Sequence, residues 1–260
     1  MGRAASILRA GQVRPLRRPR IAGLVAVLAA LVAWDAHASR LPELADRWDI
    51  VLVAVGVLPA TFAVVWLVEP LSASRRVLPT MLGAGALAVL FDLVGLESFF
   101  NATKIVAFAL LGFMFLQMLE ALSWVVLVAV IVPWVDIASV YRGPTRVVVE
   151  EEPGIFERIA ISFALPGEDA AARLGPPDVI FFALFLATAH RFGLRLAATW
   201  IGMTAALAAT LVLTYAFELD GLPALPAVAL GFLVPNADLL WRELRGRRAG
   251  VRLKSDTDPG

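Results

Sequence analysis

Apolar runs of membrane length follow one another along most of this 260-residue chain, and its Lys and Arg residues lie almost entirely between them. A helix needs about 20 apolar residues to cross a hydrocarbon core about 30 Å thick. The runs are Ile21–Trp34, Ile50–Val68, Val77–Leu96, a long stretch Lys104–Tyr141, then Asp178–His190, Leu196–Phe217 and a last one opened by Leu222-Pro223. At 1.5 Å rise per residue the fourth is too long for one crossing, and Glu120 near its middle marks the turn. It divides into predicted helices near 104–119 and 121–141. The expected fold is all-α, a polytopic transmembrane helix bundle of about eight spans. A chain that is 60% hydrophobic and 17% charged, with a mean hydropathy of +0.79, is not a soluble domain but an integral, multi-pass membrane protein.

The distribution of charge orients the bundle. Residues 1–20 form a basic tail with Arg3, Arg9, Arg14, Arg17, Arg18 and Arg20 and no acid; residues 241–260 form a second, with Arg242, Arg245, Arg247, Arg248, Arg252 and Lys254. Both tails are expected on the cytoplasmic side, as are the turns bearing Arg75, Arg76, Arg191 and Arg195. The arginine cluster lacks the interleaved aromatics of a nucleic-acid site, so no nucleic-acid partner is expected. Ala36-His37-Ala38 also satisfies the small-residue rule for leader cleavage. Six tryptophans, Trp34, Trp48, Trp66, Trp134, Trp200 and Trp241, fall near span ends, as in an aromatic belt. With no Cys and two His, thiol chemistry and the usual zinc sites are excluded.

Two acids stand out against the apolar background. Asp136 lies inside Trp124–Tyr141, and a carboxylate at such depth must face a wet interior or be neutralised; otherwise it is a helix-end residue in the headgroup region. Pro133, one turn earlier, removes a backbone donor and can bend the helix. Asp178 opens the next span, and the intervening loop, 142–177, returns the chain to the same side, so antiparallel neighbours bring both carboxylates to similar depth. Two carboxylates sharing one site do not readily both ionise: one keeps a proton and acts as acid, while the other activates water. The loop carries strand-like pieces at 145–150 and 158–163 separated by Glu150-Glu151-Glu152-Pro153-Gly154, which predicts a β-hairpin. Its Arg142, Arg146, Arg158 and Arg173 are outnumbered by Glu150, Glu151, Glu152, Glu157, Glu168 and Asp169, which favours the outer side. Elsewhere, Asp92 is expected to pair with Lys104 across an outer turn, and His190 to meet lipid headgroups beside Arg191. Ser123 and Ser162 lack the Gly-x-Ser-x-Gly surround of a serine hydrolase.

Three separated segments resemble one family. Asp136-Ile-Ala-Ser-Val-Tyr141-Arg142 is similar to the first-aspartate segment of prokaryotic presenilin homologues, Leu174-Gly175-Pro176-Pro177-Asp178 resembles that family's Gly-x-Gly-Asp segment, and Leu222-Pro223-Ala224-Leu225 matches its Pro-Ala-Leu motif. The resemblance covers residues 120–240. It implies an intramembrane aspartyl protease of the presenilin and signal peptide peptidase type, with Asp136 and Asp178 catalytic and Tyr141, Gly175, Pro177, Pro223, Ala224 and Leu225 shaping the site. It implies transmembrane segments of membrane proteins as substrates, a bilayer of the prokaryotic plasma-membrane type, and no metal or organic cofactor. The chain then divides into a basic tail (1–20), helices up to the first aspartate helix (21–141), the loop (142–177), the second aspartate helix to the last helix (178–240) and a basic tail (241–260). Eight spans are one fewer than the family's usual nine and give the orientation of signal peptide peptidases. Val135 stands where the family commonly has Tyr, and Pro177 where it has the second Gly, a residue that fixes φ beside the acid.

Other function classes fit the same acids. In a proton-coupled small-solute transporter Asp136 and Asp178 would relay protons along proline-broken helices, although no inverted repeat is visible. A catalytically inactive presenilin-like membrane scaffold, held open by Pro177, is a third.

Overall fold

The structure is a computed structural model and describes residues 18–142, 158–167, 171–219 and 222–255. Among these the chain is mostly helical. Its helices are α1 (Arg18–His37), α2 (Asp46–Ala73), α3 (Val77–Leu93), α4 (Glu97–Met118), α5 (Leu122–Arg142), α6 (Pro176–Arg191), α7 (Leu196–Ala216) and α8 (Leu225–Ser255). Each coincides with one of the apolar runs, and the break between α4 and α5 falls at Leu119–Ala121, around Glu120. Five of them, α1, α2, α4, α5 and α7, are long and apolar enough to cross a membrane, and α3 is a shorter apolar helix. Their outer faces agree with a lipid setting: Leu82, Val89 and Leu93 on α3, Trp134 and Val135 on α5 and Val234 on α8 are all exposed.

The helix at the centre is α6. With only 16 residues it is short for a crossing, yet Val179 and the unbroken run Phe182–Ala189 are buried, because α2, α4, α7 and α8 all pack against it. Phe182 stacks on Phe62 of α2 with ring centroids 3.9 Å apart, and Phe185 stacks on Phe232 of α8 at 4.9 Å. Where helices cross closely, glycine makes room. A Cβ on Gly112 of α4 would strike the Ile180 carbonyl of α6, and one on Gly231 of α8 would strike the α7 backbone at Met203. In α2 a π-helical turn at Val53–Val57 precedes Pro59, where the missing N–H leaves the Val55 carbonyl without its usual partner.

Two short strands, β1 (Ile161–Ala164) and β2 (Ala171–Leu174), form an antiparallel ribbon in the loop between α5 and α6, with Phe163 opposite Ala172. The expected hairpin therefore differs in its partner. The second of the predicted strand-like pieces pairs forward with Ala171–Leu174 across a turn containing Gly167 (φ 72°), while 145–150 lies outside the described residues. The ribbon's outer edge is taken up by side chains. Asn101 accepts from Ser162 N at 3.0 Å and donates to Ser162 O at 2.5 Å, Trp34 Nε1 donates to Ala164 O at 3.0 Å, and Lys104 Nζ donates to Ala160 O and to Arg158 O.

Further sequence expectations are corrected by these contacts. Asp92 pairs with Arg158 (2.5 Å), not Lys104, because the Lys104 ammonium is drawn inward to the backbone carbonyls that begin the ribbon. His190 meets the buried Glu69 of α2 through Nδ1 rather than a lipid headgroup, since the 3-10 turn Glu69–Ala73 brings that carboxylate to the end of α6. Two of the supposed belt tryptophans point into the protein: Trp34 onto the ribbon, and Trp200 Nε1 onto Phe62 O at 2.9 Å.

Candidate functional site

Asp136 sits on α5 one turn beyond Pro133, and α5 remains helical through that proline. Its carboxylate is half-buried and Oδ2 accepts the Leu225 N–H at 3.0 Å, with the Ala224 N–H also within reach. The donors come from the entry to α8. A helix begins with backbone N–H groups that have no partner of their own, and the two prolines of Leu222-Pro223-Ala224-Leu225-Pro226 remove competing donors on either side. Ala224 and Leu225 therefore present their N–H groups at the start of a helix, where an anion is favoured.

Asp178 is the third residue of α6. Gly175 caps that helix, and Asp178 Oδ2 accepts the Gly175 N–H at 3.1 Å, so the acid is oriented by its own helix entry. A Cβ on Gly175 would lie 3.3 Å from that oxygen, tighter than ordinary contact, so the missing side chain leaves the carboxylate its place. Pro176 and Pro177 occupy the first two helical positions, where a missing N–H costs nothing and the fixed φ suits the helix. In this place Pro177 is a helix-starting residue beside the acid. Pro177→Gly is then expected to loosen the first turn by about 0.5–1 kcal/mol and to lower, not raise, any activity that depends on Asp178. Thermal unfolding and turnover measured on the same preparation check this.

The fold brings the two acids together. Both α5 and α6 pack against α8, and Asp178 lies within Coulombic range of Asp136. One acid is held by the backbone of α8 and the other by the cap of α6, so each keeps a defined orientation without any basic partner among the described residues. Two fixed carboxylates with no neutralising cation are suited to sharing a proton, and such a pair can polarise a carbonyl and activate water in one step. Of the other residues singled out in the sequence, Gly175 and Leu225 donate to the two acids, Ala224 lies beside Asp136, Pro177 and Pro223 adjoin Asp178 and Ala224 in the chain, and the Tyr141 side chain falls outside the described part. Sequence reasoning missed Trp34, Asn101 and Lys104, which anchor the ribbon leading into Asp178. Lys104, a lone cation in an apolar helix, was the visible signal. Among the described residues no group of three or more His, Asp or Glu is arranged to hold a metal ion.

No protein-family model matches this chain. Nor does any curated protein.

Proposed function

We propose that this protein is an intramembrane aspartyl protease that hydrolyses peptide bonds within transmembrane segments of other membrane proteins. The observation that carries it is the convergence, from three distant stretches, of Asp136, Asp178 and the N–H groups of Ala224 and Leu225. Asp136 and Asp178 share one proton; the ionised member takes a proton from water as that water attacks the scissile carbonyl, and the protonated member donates to the developing oxyanion. A peptide bond inside a helix is shielded by its own hydrogen-bond ladder, so the substrate has to unwind. The ribbon supports that step. Its β1 edge is held by Asn101, Trp34 and Lys104, so the ribbon is a fixed extended template, ending four residues ahead of Asp178, beside which an unwound segment can lie.

The reaction is tested by incubating the purified protein in liposomes with a panel of single-span reporters and a peptide inhibitor bearing a hydroxyl in place of the scissile carbonyl. Cleavage blocked by the inhibitor is expected, because a transition-state analogue binds the intact pair far more tightly than a substrate does. Absence of cleavage across the panel, with the inhibitor ignored and proton-coupled solute uptake lost on mutating either acid, would install the transporter instead.

The same reading has all eight helices crossing the membrane, the short α6 and α3 being completed by their flanking residues, with both termini in the cytoplasm of a prokaryotic-type cell. Reporter fusions at Gly260 and Gly154 are expected to report inside and outside respectively. An external C-terminus would reverse the orientation and require a further crossing.

A further inference from the structure

The face of α1 and α4 that holds the ribbon also encloses a small polar cavity of about 20 Å³. One water needs about 10–15 Å³ on such a measure, so the space admits a single water-sized species. Its polar walls come from Trp34 and Asp35 of α1, Thr61 of α2, Ser98 and Asn101 of α4 and Ser162 of β1. The rest is apolar, and among the described residues no Lys, Arg or His lines it. Asp35 and Ser98 are only half-buried, which leaves a way in from the surface.

The donors on these side chains are largely spent. Trp34 Nε1 donates to Ala164 O, Thr61 Oγ1 to Val57 O, Asn101 Nδ2 to Ser162 O, and Ser98 to the Asp35 carboxylate. What they still offer is mainly oxygen lone pairs, on the Asp35 carboxylate, the hydroxyls of Thr61, Ser98 and Ser162, and the Asn101 amide. A water uses donors as well as acceptors, whereas a metal cation uses acceptors alone. The charges agree. Lys104 and Glu97 both lie within Coulombic range of Asp35 and offset one another, and the Lys104 ammonium is committed to Ala160 O and Arg158 O. One negative charge, at Asp35, is left to balance. Calcium takes about six to eight oxygens and magnesium a full octahedron, usually with more carboxylate than the one present here. An organic ammonium is too large for the space. Potassium, the larger alkali ion, is ordinarily held by more oxygens than stand here. We propose that this cavity is a binding site for a single sodium ion, which joins α1, α2 and α4 to β1. The site stands apart from the proteolytic function proposed above, and its test reads binding rather than cleavage.

The full-length protein in detergent is exchanged into choline chloride, and its thermal unfolding is followed as sodium, potassium or calcium chloride replaces the choline salt at constant ionic strength. Sodium is expected to raise the midpoint saturably, as a ligand of the folded state does, with an apparent affinity at least about tenfold above that of potassium. Asp35→Asn removes the charge, and Thr61→Val removes a hydroxyl at nearly the same size. Each is expected to unfold cooperatively in choline chloride and to weaken the sodium response at least about tenfold. The two variants lie on different helices, so failure of one to fold leaves the other decisive. Equal midpoints in sodium and choline would mean that the cavity holds water only, which overturns the site. A sodium response that survives in both variants overturns it too, since the ion then binds elsewhere. An equal or stronger response to potassium, or a response to calcium at lower concentration, overturns the choice of ion.

Discussion

Asp136→Ala and Asp178→Ala are each expected to abolish cleavage of a single-span reporter, and the double variant to be no worse than either. A general acid or base contributes about 10²–10⁴-fold, and here each acid needs the other: one holds the proton that the other must receive in turn. Residues that act as a unit are non-additive, so the second deletion removes nothing that the first left working. Asn at either place keeps the shape and accepts the backbone N–H of Leu225 or Gly175 as Asp does, yet cannot exchange a proton; it should be as damaging as Ala. That comparison separates chemistry from architecture, because a purely structural role would be largely rescued by Asn. The hydroxyl-bearing inhibitor should lose affinity in all four single variants. Additive losses across the two positions would mean that the acids act apart.

Gly231→Val is expected to reduce turnover about 100-fold or more without touching either acid. A Cβ there would lie on the α7 backbone at Met203 and 2.6 Å from the Gly202 carbonyl carbon, and backbone cannot step aside as a flexible side chain can. The two helices must then separate, and α8 carries the Leu225 N–H that holds Asp136. A displacement of about 1 Å at a reacting group costs on the order of 100-fold. Leu230→Val, on the exposed face of the same turn, is the control and should leave turnover near wild type. Near-wild-type turnover in both variants would show that α8 tolerates the shift, or that its entry does not position Asp136.

The helices were legible because each apolar run is long and the charges between runs are few. Glu120 marked a break, as an acid in mid-run must unless it is partnered. That Leu222–Leu225 belongs with Asp136 was expected only through the family resemblance; the physical reason, an acid facing the unpartnered N–H groups of a proline-flanked helix entry, comes from the structure. Partner choice was not legible either. Ala171-Ala172-Arg173-Leu174 has little strand propensity, and it becomes β2 because it runs antiparallel to Ile161–Ala164 across a glycine turn. Lys104 and Arg158 are equally plausible mates for Asp92 in sequence; only the packing of α4 against the ribbon turns Lys104 toward carbonyls and leaves Arg158 for the acid. Asp49, in the first turn of α2, is only 3% exposed, and its burial was hidden for a similar reason, because an aspartate at a span's end is ordinarily solvated.

The side chains that hold the ribbon's outer edge make the N-terminal helices into a jig. Trp34, Asn101 and Lys104, from α1 and α4, fix β1; β1 fixes β2; and β2 passes through Gly175 alone into the helix that bears Asp178. The position of one acid is thus inherited from helices that contribute no acid to the pair, while the position of the other is inherited from α8. The distance between the carboxylates is set by how two halves of the bundle meet. A substitution more than 140 residues upstream of Asp178, at Trp34, lies mechanically next to it.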